Sequence, residues 1–577
     1  MTDGGGAPVL VLGPLLRYVS ESAATIWVET DRACLVEILG RQARTFEVAG
    51  HHYALVVADE LEPGAEHEYQ VALDGTVRWP QPGSEFGPSV FRTLDRGRRV
   101  RLLFGSCRVA EPRVPARRSP TRRSLARASL ARRGSGASPS AARDEDPGHG
   151  PDALVACAHG LRQTPRERWP DALLLIGDQV YADNPGPATR RFIELRRDPK
   201  VAPGYEVADF AEYCSLYREA WSEPSVRWLL SVIPTAMIFD DHDVHDDWNT
   251  SAAWCREYTA KPWWQARISG AYMSYWLYQH LGNLSPDELG KDELWRQIGD
   301  CGAAADAAAV LAAHAVRADQ RAPGVRWSFR RDFGRVRVVV IDSRSRRVLE
   351  PGKRRMTDET EWQWVTESVS GNAEHVVLAA SLPLLLPRGI HDLEAWNEAV
   401  CDGVWGKLVS GTAERLRQAV DLEHWSAFGA SFADFERLLT GLTTGAYGKP
   451  PASITIIGGD IHHSYLAPVD LRAGTSARSA VYEVVCSPIH NVLPQSFRRM
   501  QQLATSRAGR LGAAWLARLA GVRGPRIRWR ITHGPWFENM LCALEFDGRA
   551  ARVRFDRAIT SEDGTPALQP ACEARLS

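Results

Sequence analysis

The sequence carries no net charge: Lys plus Arg number 70 and Asp plus Glu number 70. Bulk electrostatics therefore nominate no partner of either sign. It also lacks any CxxC pair. The ten cysteines are scattered at 34, 107, 157, 214, 255, 301, 401, 486, 542 and 572, which argues against a disulfide framework and predicts reduced thiols. No apolar run is long enough to span a bilayer. The start, MTDGGGAPVLVLG, has neither a basic segment ahead of an apolar core nor a twin arginine, so a cytoplasmic protein is expected. What remains is a chain of 577 residues with ordinary apolar and charged content, long enough for two domains and a large core.

Residues 8 to 95 read as short strands. AATIWVET, CLVEILG, RTFEVAG, HYALVVAD and EHEYQVALDG are rich in β-branched and aromatic residues and are punctuated by Gly, Pro and Asp. An N-terminal all-β sandwich over 1–97 is expected, with a packing or oligomer-contact role, because no catalytic cluster falls in it. From Val100 the pattern changes. Apolar strands at 100–106, 171–177, 235–239, 335–341, 375–381, 453–458 and 480–486 alternate with helix-like stretches, among them ISGAYMSYWLYQHLG and an Ala-rich segment near 302–318. That is the signature of an α/β domain, here 98–577, with both sheet faces covered. An Arg/Ser-rich insertion at 108–150 holds few apolar residues and is expected to be disordered.

Four polar signatures close apolar strands: Gly105-Ser106-Cys107, Gly177-Asp178-Gln179-Val180-Tyr181, Asp240-Asp241-His242-Asp243 and Gly459-Asp460-Ile461-His462. Ligand sites of open α/β sheets lie at the carboxyl ends of strands. Asp178 can bridge two cations through its two oxygens, or serve as a turn or helix cap. Tyr181 can bind a ferric ion as phenolate, or simply pack. Three carboxylates within four residues at 240–243 repel one another, and a cation or basic partners must offset them. His242 in that field has a raised pKa and is suited to protonating a leaving oxygen. The next run, His245-Asp246-Asp247-Trp248, reads more as a solvated acidic turn than as support for the site. Asp460 and His462, two apart on an extended segment, face the same way. Cys107 alone is equally a packing residue. Together, carboxylates and imidazoles with one thiolate do not suit a zinc knot. They suit a mixed two-metal site, whose natural reaction is phosphoester hydrolysis.

These elements, with MIFDDHDVHDDWN, VVVIDSR, SLPLLLP and GGDIHHSY in the same order, resemble the alkaline phosphatase D (PhoD-like) family of the calcineurin-like metallophosphoesterases. The resemblance spans about residues 8–105 and 150–560. It implies a four-layer sandwich of two mixed sheets flanked by helices, behind an N-terminal β-sandwich. It further implies that Cys107, Asp178, Tyr181, Asp241, Asp460 and His462 hold metal, with His242 near the leaving group. The cofactor implied is two or more metal ions, Fe3+ with Ca2+, other divalent ions being alternatives. The substrate implied is a small phosphate monoester or diester. Two features depart from the family pattern: no export signal is seen, and the insertion directly follows Cys107.

A basic stretch from Arg498 to Arg530 has nine arginines and no acidic residue. It reads as a solvated helix, or as an anionic-surface or nucleic-acid contact. The rival to a hydrolase is a phosphate- or nucleic-acid-binding protein that keeps the fold without turnover. A metal-stabilised scaffold is a third reading, one that leaves His242 without a purpose.

Overall fold

The computed structural model describes residues 6–110, 149–302, 305–471, 478–492 and 506–577. Most of the expected insertion, 111–148, and residues 498–505 of the basic stretch lie outside the described residues. The insertion's near end belongs to the packed body: Arg108 is buried, donating to Asp152 at 2.7 Å and to the Ala220 carbonyl at 2.6 Å.

Two four-stranded antiparallel sheets open the chain. One orders Leu10–Val19, Ala24–Thr30, His51–Ala58 and Phe46–Val48; the other orders Arg41–Arg44, Leu35–Ile38, Val71–Leu73 and Thr76–Trp79. Ile26, Val28 and Val56 of the first meet Val36, Val71 and Leu73 of the second in one core. Because side chains alternate across a strand, the first sheet has a second apolar face. Leu15, Trp27, Tyr53 and Leu55 on that face join the main core of the molecule.

The main core lies between two mixed sheets. The six-stranded sheet orders Thr235–Ile238, Ala172–Ile176, Val100–Gly105, Met540–Asp547, Ala550–Thr560 and Pro566–Arg575; its first three strands are parallel. The eight-stranded sheet has a parallel centre of Val336–Ile341, His375–Ala380, Ser453–Gly458 and Ala480–Val485. Its strands are buried on both faces, as parallel strands must be. Val338 and Val340 face the main core. Val339 and Ile341 face a second core, shared with Val365 of the helix Glu359–Val369 and Phe435 of the helix Gly429–Thr444. On the far side, the helix Ala153–Arg162 covers the C-terminal strands of the six-stranded sheet. Helix, sheet, sheet and helix make the four layers.

All seven expected apolar strands are present. The Ala-rich segment is the helix Ala308–Asp319. ISGAYMSYWLYQHLG continues the α-helix Trp264–Ser274 into a π-helical turn at Tyr275–His280. The three C-terminal strands, Met540–Asp547, Ala550–Thr560 and Pro566–Arg575, were not anticipated.

Candidate metal centre

The site begins with a close approach of backbones. Ser106, just past Gly105, is pressed between two glycines. A Cβ on Gly177 would sit 2.9 Å from the Ser106 Cβ, and one on Gly459 would sit 2.2 Å from its Oγ. Only glycine lets these strand ends converge. Ser106 Oγ then accepts a hydrogen bond from the Asp460 amide at 3.2 Å. Cys107, Asp460 and His462 all take positive φ, at 59°, 62° and 52°. For residues other than glycine this is strained backbone, and such strain gathers at functional sites.

Three groups of donors result. Cys107, Asp178 and His462 form one; Asp178, Asp241 and His242 a second; Asp240, Asp241 and Asp460 a third. Within each group the donor atoms lie within 4.8 Å of one another. Asp178 belongs to two groups, and so does Asp241. Asp178 is fully buried, and neither of its carboxylate oxygens has a hydrogen-bond partner. Burial alone pushes its carboxyl well above the usual range, and Asp241 adds to the rise while His242 opposes it. An orphaned buried carboxylate among O, N and S donors fits bound cations. Tyr181 is buried beside the group. Its ring lies 4.6 Å from that of His242, and its hydroxyl accepts a hydrogen bond from Asn491 Nδ2 at 2.8 Å.

The structure adds residues that the sequence reading left without a role. Arg344, fully buried after the strand Val336–Ile341, pairs with Asp240, with Asp241 at 3.1 Å and with Glu423 at 2.7 Å. A basic partner thus offsets part of the repulsion at 240–243, but the Asp240 Oδ2 remains without a hydrogen bond. Asp183 holds His242 Nδ1 at 2.9 Å. Burial works against a charged His242, yet Asp183, Asp241 and Asp178 outweigh it and push the imidazole well above its ordinary value. His424 lies 3.3 Å from Asp460 through Nε2 and 2.7 Å from the buried Glu394 through Nδ1. Burial opposes its charge too, but Glu394 and Asp460 push it up to about 10.

Asp243 is a structural carboxylate. It accepts the amides of Gln179 and Asp240 at 3.3 and 3.2 Å, and the Gln279 side chain at 2.8 Å. Arg17 of the N-terminal sheet donates to the Gln279 carbonyl at 2.6 Å, so that sheet is tied to the site through one residue. The run 245–248 is packed at its ends and half-exposed at Asp246 and Asp247. His245 and Trp248 are buried, and the Asp247 amide donates to Asp241 at 2.8 Å. His463 is also buried, with Nδ1 held 2.9 Å from the Ile461 carbonyl.

A model of the PhoD-like phosphatase family matches residues 159–511, well over half the chain. The chain belongs to the PhoD-like phosphatase family. Cys107 precedes the matched residues and reaches the site through the fold. A domain model of unknown function, DUF7800, matches residues 7–91. The molecule is similar to a solved structure described as "Structure of PhoD", with a TM-score of 0.57 at 12% identity, covering 100% of this chain and 94% of that one. That similarity shows a shared fold. No curated protein matches the sequence. Membership of the PhoD-like phosphatases makes the chain a metal-dependent phosphatase of phosphate esters. No described helix is long and apolar enough to cross a membrane.

Proposed function

We propose that the chain hydrolyses small phosphate monoesters or diesters at a two-metal site held by Cys107, Asp178, Tyr181, Asp241, Asp460 and His462. The observation that carries this reading is Asp178, buried between two donor groups with both oxygens unpartnered. Bound cations would lower the pKa of a coordinated water and neutralise the phosphoryl oxygens. Asp178 belongs to the donor groups on both sides. The thiol of Cys107 and the phenol of Tyr181 suit ferric iron; the carboxylates of Asp241 and Asp460 suit calcium. Asp183 fixes the Nδ1 side of His242, and Nε2, 3.6 Å from Asp246, would deliver a proton to the leaving oxygen. Burial raises the Asp240 and Asp241 carboxyls, and Arg344 opposes that rise while holding both in place. The N-terminal strands, taken as a unit over 1–97, support the site through Arg17 and Gln279. All ten cysteines are free, which suits action in a reducing cytoplasm.

Elemental analysis of protein purified without chelator, with turnover of a generic monoester and a generic diester, tests the reading. Iron and calcium with turnover are expected. Metal-loaded protein without turnover would favour a binding role instead. Tyr181→Phe should shift or bleach a visible charge-transfer band and release iron, while calcium stays. A spectrum indifferent to that substitution would make Tyr181 a packing residue.

A further inference from the structure

The described helix of the basic stretch, Arg507–Leu519, is oriented against the usual rule. It is capped by Ser506, whose side chain accepts from the Gly509 amide at 3.1 Å, and it packs on the helix Arg388–Cys401. Its inward face is small: Ala513 and Ala517 are buried, and Ala520 follows in a cluster with Val400 and Ala413. Its large apolar residues point outward. Leu511 is 74% exposed, Trp515 62% and Leu519 53%. Spaced by four, they form one ridge along the helix. A helix belonging only to a globular core buries its large residues and exposes its small ones.

Charge says what covers the ridge. Arg507, Arg510 and Arg518 on this helix and Arg523 beyond it are exposed and pair with no carboxylate among the described residues. A second copy of the same face would set these four arginines against four more. A nucleic acid would meet the arginines but leave Leu511, Trp515 and Leu519 in water. An anionic lipid surface satisfies both kinds of side chain at once. We propose that this face rests on an anionic membrane surface, with Leu511, Trp515 and Leu519 entering the boundary between headgroups and acyl chains and the arginines meeting lipid phosphates. The helix is too short to span, so it lies in the plane of the interface. None of these residues touches the metal centre, so docking is separable from turnover.

The test is co-sedimentation of the full chain with phosphatidylcholine vesicles, with and without phosphatidylglycerol. Wild type should bind the anionic vesicles, and salt should weaken binding. Arg507→Ser/Arg510→Ser/Arg518→Ser should weaken it about fivefold per arginine. Leu511→Ser/Trp515→Ser/Leu519→Ser should weaken it at least about tenfold, and Trp515→Ser alone by a smaller factor. All three variants should hydrolyse a soluble ester like wild type. Equal binding to neutral vesicles, or no binding to either kind, overturns the proposal. So does a duplex DNA complex that the arginine variant abolishes while lipid binding is absent. A dimer in light scattering that the apolar variant dissociates, again without lipid binding, overturns it as well.

Discussion

Two buried carboxylates divide this molecule. Glu29 lies fully buried in the N-terminal sandwich and meets Arg218 at 2.6 Å. Asp178 lies fully buried in the α/β body and meets nothing that can donate to it. Taking a charge out of water costs several kcal/mol unless a partner restores what is lost. Glu29 receives that partner from the helix Phe210–Trp221 of the α/β body. The α/β body supplies Arg344 to Asp240, Asp241 and Glu423, but no hydrogen-bond donor to the Asp178 carboxylate. Folding gives Glu29 an ion-pair partner on one oxygen and gives Asp178 a partner on neither, a deficit that bound cations would offset.

The sharpest way to break this contrast is to neutralise each carboxylate in turn. Asp178→Asn should release most metal and lower kcat by at least about a thousandfold, because a neutral amide bridges two cations poorly. Activity kept within about tenfold of wild type would deny the bridging role. His242→Ala should lower kcat by about 10²–10⁴-fold while elemental analysis still finds the metals. Loss of metal in this variant would make His242 a ligand rather than an acid. Glu29→Gln should leave kcat and metal content unchanged and cost about 1–3 kcal/mol of stability in denaturant titration, the partner Arg218 being partly exposed. A metal loss there would erase the division between the regions.

The smallest effect concerns pH. His424 is pushed up to about 10 from an ordinary 6.5. Its protonated form therefore stabilises the fold fully below about pH 6.5, and that contribution is lost as pH rises toward 10. In chelator-treated protein, the melting-temperature gap between wild type and His424→Gln should shrink over that window. A gap that widens with pH would reverse the sign and reject the pairing with Asp460 and Glu394.

The sandwich layers and the strand ends were legible because their signals are local. An apolar run followed by Gly-Asp marks a strand end whatever the rest of the chain does, and so Asp178 and Asp460 stood out. Arg344, Asp183 and Glu394 were silent for the opposite reason. Arg344 reaches Asp240 from 104 residues away in sequence, and Asp183 reaches His242 from 59. No spacing rule links such pairs. The C-terminal strands Met540–Asp547 and Ala550–Thr560 escaped notice because they end in no polar motif, though the first is buried nearly throughout and the burial of the second alternates. The run 245–248 was half legible: its acidity marks a turn whose Asp246 is partly exposed. Only tertiary packing buries His245 and Trp248.

Cys107, Asp178 and Asp241 follow strands of the six-stranded sheet, and Asp460 and His462 follow a strand of the eight-stranded one. Ions gripped by both sets would rivet two layers already joined by apolar contact, the Ser106 wedge and the pairs of Arg344 with Asp240 and Asp241. By mass action, occupancy at a hundred times the dissociation constant would add about 2.7 kcal/mol against their separation. Amide hydrogen exchange along Ser453–Gly458 would then slow as metal is titrated in, which makes the protein's own breathing a gauge of its cofactor supply.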